Sequence, residues 1–154
     1  RYGIRVDEHS LHTDGAGAGE YRGGSGAVRV YRSMNENQTF TASFGRNKWP
    51  VWGAAGGKDG SVNYFQFIDA DGTVSEPMGI AARRVMNTND VVRMVTATGG
   101  GYGNPFKRPA EKVAMDVKNE YITVEQAKAD YGVLVDPETF KVLGLTEERQ
   151  KAEK

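Results

Sequence analysis

Glycine clusters are the first feature of this sequence whose residue type and spacing could do chemistry. They lie at 15–26, 53–60 and 99–103, the last inside TATGGGYGNPFKRP at 96–109. Glycine-rich loops can cradle phosphate, because backbone N–H groups with no side chains in the way converge on the anion. The P-loop form is G-x-x-x-x-G-K followed by Ser or Thr. Here Gly57-Lys58 is followed by Asp59, and Gly53 stands one residue too close. The dinucleotide form G-x-G-x-x-G is absent from 15–26 and from 99–103. Gly99, Gly100 and Gly101 therefore read as a tight turn for close backbone packing, with positive φ where β-branched residues would be strained. Tyr102, followed by Gly103, is expected to plug that joint, and Pro105 and Pro109 to stiffen its exit.

Other candidate chemistry is thin. A metal would lean on His9 and His12 with Asp7 and Asp14 nearby, but on a strand residues i and i+3 face opposite sides. Asp69-Ala-Asp71-Gly72 resembles part of a calcium loop but lacks the third oxygen ligand and the Glu at position twelve, so it reads as a hairpin turn. Ser25, in Gly23-Gly24-Ser25-Gly26, lacks the G-x-S-x-G spacing of a nucleophile elbow. The chain has no cysteine, which excludes disulfides, thiolate metal sites and Cys nucleophiles. No catalytic or metal-ligating residue is assigned, and no cofactor-binding residue can be named. Trp49-Pro50-Val51-Trp52-Gly53 forms an aromatic loop. Exposed, it would make a contact surface; buried, it would anchor the core. Arg22, Arg46 and Lys48 stand beside such loops and could meet a carboxylate or another protein chain, with solvated surface as the default.

The elements that must position these loops are mainly strands. The 154 residues suit one domain, with 38% hydrophobic and 26% charged residues. Lys and Arg number 20 and so do Asp and Glu, giving no electrostatic case for nucleic acid or an anionic membrane. No apolar run is long enough to span a bilayer, and no signal-peptide pattern opens the chain. A strand starting at Arg1, without Met, points to a chain cut from something longer. Tyr2, Ile4 and Val6 share one face of that strand. Val28 and Val30 alternate with Arg29 and Tyr31. Phe40, Ala42 and Phe44 face opposite to Thr39, Thr41 and Ser43. The run from Val62 to Ile68 is apolar on both faces and reads as central. Val91–Val95 closes the series.

The pattern changes at Pro105. Ala110, Val113, Ala114, Val117 and Tyr121 fall on one helical stripe after Pro109. Thr123 and Gln126 have the capping-box form, with Val124, Ala127 and Tyr131 inward and Gly132 as the stop. Val133–Val135 and Phe140–Val142 flank a proline turn as a small hairpin. Thr146 caps a last polar helix that is expected to fray. The sequence thus predicts an α+β fold. A mainly antiparallel β body (1–104), sandwich or barrel-like, is followed by a short C-terminal helical tail with a small hairpin (105–154). The two form one structural unit, because roughly 50 residues make a poor core alone.

Three stretches together carry a resemblance. YGIRVDEHSLHTDGAGAGEYRGGSGAVRVYR at 2–32 resembles a strand, a Gly-Ala-Gly run, an aromatic, Arg22-Gly23-Gly24 and a second strand. WPVWGAAGGKDG at 49–60 is similar to a Pro-x-Trp-Gly-x-x-Gly-Gly element. TATGGGYGNPFKRPAEKVAMDVKNEYITVEQAKADYGVLVD at 96–136 resembles a Gly-Gly-Gly-Tyr-Gly-Asp-Pro turn followed by two helices. This order resembles the C-terminal part of the B-type subunit in the hydantoinase B/oxoprolinase family, to which acetone and acetophenone carboxylase subunits are related. Gly15-Ala16 departs from the family's usual Ser-Gly-Gly, and Asn104 replaces its Asp.

The resemblance implies ATP-dependent hydrolysis of a cyclic amide such as a hydantoin or 5-oxoproline. A lactam carbonyl oxygen or an enolised ketone would be phosphorylated, then attacked by water or a carboxyl donor. ATP and a divalent metal would act in the complex without being bound by this chain. The implied partners are the remaining part of the B-type subunit, an A-type ATP-binding subunit, and a small-molecule substrate, in the cytoplasm. This chain would scaffold and dock its partners through Arg22, Gly23, Gly24, Arg46, Trp52, Gly53 and Gly99–Gly103. An ATP-dependent ketone carboxylase subunit and a non-catalytic interaction module are the alternatives.

Overall fold

The computed structural model describes residues 3–152. Tyr2, expected on the first strand face, lies outside the described residues. By contacts the chain divides into two units, each assembled from separated segments. Among the described residues, the first comprises those up to His12 with 26–50 and 62–97; the second comprises 13–25, 51–61 and those from Thr98 onward.

The first unit is β-structure. Strands β1 (Ile4–His12), β2 (Gly26–Ser33), β4 (Tyr64–Ile68) and β6 (Val91–Val95) form an antiparallel sheet in the order β1-β2-β6-β4. Strands β3 (Gln38–Ser43) and β5 (Ile80–Met86) form a second antiparallel pair. Among the described residues the sheets stay open, so of the two expected forms a closed barrel is not the one found. Phe40 of β3 and nearby Phe44 meet Phe65 edge-on, and Phe40 meets Phe67 likewise, with centroids 5.4–5.6 Å apart. Such aromatic pairs add about 0.5–1.5 kcal/mol each beyond their buried area. The TFTASF alternation is therefore right: its aromatic face is the one that packs.

Two strand expectations change, and one strand is new. The 62–68 run is not central, because β4 is the last strand of its ladder. Its outer edge is nevertheless hydrogen-bonded by 73–78: the Phe65 and Met78 amides exchange bonds of 2.9 and 3.0 Å, and the Ser75 amide donates to the Phe67 carbonyl. That return is the Asp-Gly hairpin, with Gly72 at φ 89° and its N–H on the Asp69 carbonyl. Next, β1 does not bury an alternating face. A bulge between Val6 and Glu8 shifts its register, and Ile4, Val6 and Leu11 are all exposed. Finally, β5 has no counterpart in the sequence reading. Ile80 and Val85 are exposed, and Arg83 at φ 53° breaks the pleat, so no period-2 signal exists.

The second unit holds the helices. A 3-10 turn (Pro105–Lys107) leads into α1 (Ala110–Lys118), then α2 (Val124–Tyr131), the hairpin β7 (Val133–Val135) and β8 (Val142–Leu145), and α3 (Glu147–Ala152). The α1 stripe buries Val113, Ala114 and Val117, while Tyr121 lies beyond the helix end. The Thr123–Gln126 capping box is complete in both directions, and Gly132 stops α2 at φ 64°. Ala127, Tyr131 and Val133 are almost fully enclosed in this core. The second hairpin strand starts at Val142 rather than Phe140. Asp136 accounts for that, since its carboxylate accepts from the Glu138 and Thr139 amides and spends 136–140 on the turn. Among the described residues, no helix is long and apolar enough to cross a membrane.

Candidate functional site

The three glycine clusters, far apart in sequence, lie against one another in the second unit. The Gly17 amide donates to the Gly99 carbonyl (2.9 Å) and the Gly99 amide to Gly24 (2.8 Å). The Gly101 amide donates to Lys58 and the Ala54 amide to Gly101, both at 2.9 Å. Tyr21 and Tyr102 exchange bonds of 2.9 and 3.0 Å, and Gly103 donates to Ala54. Thr98 and Ser61 lock the start of the layer. Each side-chain oxygen accepts the other residue's amide at 2.9 Å, and the Thr98 hydroxyl donates to the Gly15 carbonyl.

Glycine is required here by proximity. A Cβ at Gly100 would fall on the Trp52 carbonyl, and one at Gly101 on the Ala18 carbonyl. Neither residue has positive φ, so the expectation of left-handed backbone at Gly99–Gly101 is corrected; only Gly103, at φ 78°, has it in this run. The packing role stands on a different physical cause. The same bonds bear on phosphate. The amides of Gly99, Gly101, Tyr102 and Gly103 all donate to carbonyls inside the layer. A nucleotide cradle needs such N–H groups aimed at the ligand. The Gly99, Gly101, Tyr102 and Gly103 amides do not fit a phosphate, because all four are spent within the layer.

Tyr102 does not plug the joint. Its backbone fills the layer while the residue as a whole is 58% exposed, with its ring centroid 6.2 Å from that of the equally outward Tyr21. Trp52 is 75% exposed, which removes the core-anchor alternative. The Gly53 amide donates to Asp59 (2.7 Å), and Gly24 faces open space. Arg46 belongs to the first unit; it sits at φ 53° with its carbonyl accepting from the Asn63 amide. Trp49, in that unit too, is 79% exposed.

Arg22 does meet a carboxylate, within its own chain. Asp116 of α1 is 7% exposed and accepts from Arg108 Nε (3.0 Å) and Nη2 (2.8 Å), with Arg22 Nε at 3.6 Å. Arg22 also donates to the Gly23 carbonyl (2.8 Å) and lies over the Tyr121 ring at 4.6 Å. Arg108 donates to the Glu20 carbonyl, and Arg149 of α3 donates to the Arg108 and Tyr131 carbonyls. Nearby, burial pushes the Tyr131 phenol above its usual range. Asp116, Arg108 and Arg149 escaped the sequence reading. The available signal was a carboxylate on the apolar stripe of α1, between Ala114 and Val117.

The remaining candidates do not converge. His12 Nδ1 lies 3.0 Å from the Thr96 carbonyl. Asp7 pairs with Arg5 and Arg32, whose hydrogen bonds hold its carboxyl below the usual range. Among the described residues, no three His, Cys, Asp or Glu side chains gather as a metal site. A 230 Å³ cavity in the first unit is lined by Tyr31, Phe40, Met86, Val92 and Met94, and no carboxylate or histidine lines it. It offers apolar volume without an acid–base pair.

Known proteins share both the sequence and the fold of this chain. The profile of hydantoinase B/oxoprolinase matches residues 1–105. The B component of a candidate D-/L-hydantoinase from a Pseudomonas species is 31% identical over 136 residues, covering 87% of this chain and 23% of the relative. The beta chain of the caprolactamase of Pseudomonas jessenii is 30% identical over 151 residues, covering 88% and 24%. The crystal structure of the ATP-dependent caprolactamase from that organism matches with a TM-score of 0.73 at 29% identity, over 98% of this chain and 26% of that one. Nucleotide-free acetone carboxylase also gives 0.73, at 17% identity over 97% and 24%, a likeness of fold alone. The chain spans about a quarter of the length of the curated relatives it matches.

Proposed function

The chain belongs to the hydantoinase B/oxoprolinase family, and on that footing we propose that it works as part of a B-type subunit in an ATP-dependent cyclic-amide hydrolase. The observation that carries this reading is the 30–31% identity, over 87–88% of the chain, to proteins named for hydantoinase and caprolactamase activity. Hydantoins and caprolactam share a ring amide, so the substrate class is a lactam or cyclic imide. The chain's own contribution is structural. The glycine layer is a rigid backbone scaffold that holds Tyr21, Trp52 and Tyr102 outward as a docking face. The Arg22-Gly23-Gly24 and Trp52-Gly53 loops flank that face, and Arg46 supplies a separate contact in the first unit. ATP, a divalent metal and the reacting amide belong to the rest of the B-type subunit, together with an A-type ATP-binding subunit, in the cytoplasm. An ATP-dependent ketone carboxylase subunit is the second reading, favoured by the acetone carboxylase fold likeness.

The test is ATP turnover by the assembled complex. Co-expression with the remaining B portion and an ATP-binding partner should give a complex that retains this chain on sizing. ADP release should rise with hydantoin, 5-oxoproline or caprolactam. Stimulation only by a ketone plus bicarbonate would move the assignment to the carboxylase. No stimulation by any of them would sink both enzymatic readings. Trp52→Ala should leave the fold intact and weaken retention of the chain, since exposed Trp dominates contact surfaces. Unchanged retention would remove the docking role from this face.

A further inference from the structure

The last helix is tied to the glycine layer through a chain of arginine contacts, charged hydrogen bonds for the most part, with one ion pair and one backbone bond completing it. Helix α3 buries one side chain, Arg149. That guanidinium donates to the Arg108 carbonyl at 2.9 Å and the Tyr131 carbonyl at 3.0 Å. The Arg108 side chain donates to the Glu20 carbonyl at 3.0 Å, and the Glu20 amide donates to the Gly103 carbonyl. A second branch runs from Arg108 to Asp116 and on to Arg22 by an ion pair of 3.6 Å rather than a hydrogen bond, and Arg22 Nη1 donates to the Gly23 carbonyl. Both branches end in the layer that carries Tyr21 and Tyr102.

We propose that α3 is a detachable strap whose seating sets the order of the glycine layer. The six described residues of α3 are too few to hold a helix by themselves, so their helical form depends on seating. Its Glu147, Glu148 and Lys151 side chains are exposed and contribute little to seating. Lifting it withdraws Arg149 from the Arg108 carbonyl. Arg108 then loses the support that aligns it on Asp116 and on Glu20. The Arg22-Gly23 and Gly99–Gly103 segments loosen together, because Asp116 is the shared counter-ion of both arginines. This coupling is the same whichever substrate the complex takes.

Hydrogen exchange on the full chain tests it. In Arg149→Ala, the amides of Gly23, Gly99, Gly101 and Tyr102 should exchange about tenfold faster or more, the effect of losing a charged hydrogen bond on local opening. The β2 and β6 amides should hold their rates, and Lys151→Ala should change none of these. Asp116→Asn should loosen the same layer amides. In the double variant the two accelerations should not multiply, because each breaks the same series. Acceleration confined to α3, or two effects that multiply to within about twofold, would overturn the strap. If Arg149→Ala unfolds the chain, Arg149→Lys serves instead. It should accelerate the layer selectively, and a uniform acceleration there would equally overturn the proposal.

Discussion

Gly101→Ala is the sharpest probe of the glycine layer. The new Cβ would fall on the Ala18 carbonyl, with the Gly17 carbonyl close behind. Both obstacles are backbone, so no rotamer change relieves the clash. Overpacking of this size costs about 1–3 kcal/mol in ordinary cores, where side chains can yield. Here the backbone segments must separate, which stretches the Gly101–Lys58 and Ala54–Gly101 hydrogen bonds, now 2.9 Å each. Each such bond is worth about 1 kcal/mol. The expected loss is therefore about 3–5 kcal/mol. For a chain of this size that lowers Tm by roughly 10 °C. Gly24→Ala is the matched control: nothing lies within 4 Å of its built Cβ, and its φ is not left-handed. Its stability should stay within about 0.5 kcal/mol, or rise slightly because the unfolded chain loses freedom. Thermal and denaturant unfolding of both variants, run side by side, decide the matter. A Gly101→Ala loss below about 1 kcal/mol, or equal losses at the two positions, would refute the close-packing argument.

Three further outcomes follow from single contacts. Phe65→Ala removes a fully enclosed ring with three edge-on partners and should cost about 3–5 kcal/mol, read as a shift in the urea midpoint of the first unit. Thr123→Ala removes the hydroxyl that accepts the Gln126 amide, leaving the backbone amide of residue 123 on the Gln126 side chain, and should cost about 1 kcal/mol, with fraying at the start of α2 visible by NMR. Asp136 is held below its ordinary 3.8, first by the Thr139 amide, then by the Thr139 hydroxyl and the Glu138 amide. A carboxylate whose folded pKa is lowered stabilises above the unfolded value and loses that contribution as pH falls through the folded one. The 133–145 hairpin should therefore loosen as pH drops below 3.8, and Asp136→Asn should flatten that acid limb in an NMR titration.

Much of the local structure was legible because its causes are local. Thr123 with Gln126 announces a capped helix, and Gly132 announces its stop, through groups close together in the chain. Asp-Gly at 71–72 makes its turn for the same reason. The alternation of Phe40, Ala42 and Phe44 survives because one face of β3 is packed and the other is wet. Strand β5 was illegible because both of its faces are largely exposed and its pleat is broken at Arg83. The 3.6-residue stripe placed α1 correctly yet could not say why Asp116 lies on the buried side, since its partners are Arg22 and Arg108. The last helix, read as fraying, is held by Arg149 acting on two carbonyls distant in sequence.

By itself, then, the sequence determined most element types, the caps, the turns and the family, because these rest on residue chemistry and spacing over a few positions. Two matters were left to the tertiary structure. One is that 17–23, 52–58 and 99–103 come into backbone contact, so that glycine there is needed for proximity rather than for φ. The other is that a single buried carboxylate collects arginines from two distant segments. Both depend on segments brought together by chain reversal, and sequence spacing carries no trace of which carbonyl a missing Cβ would have struck.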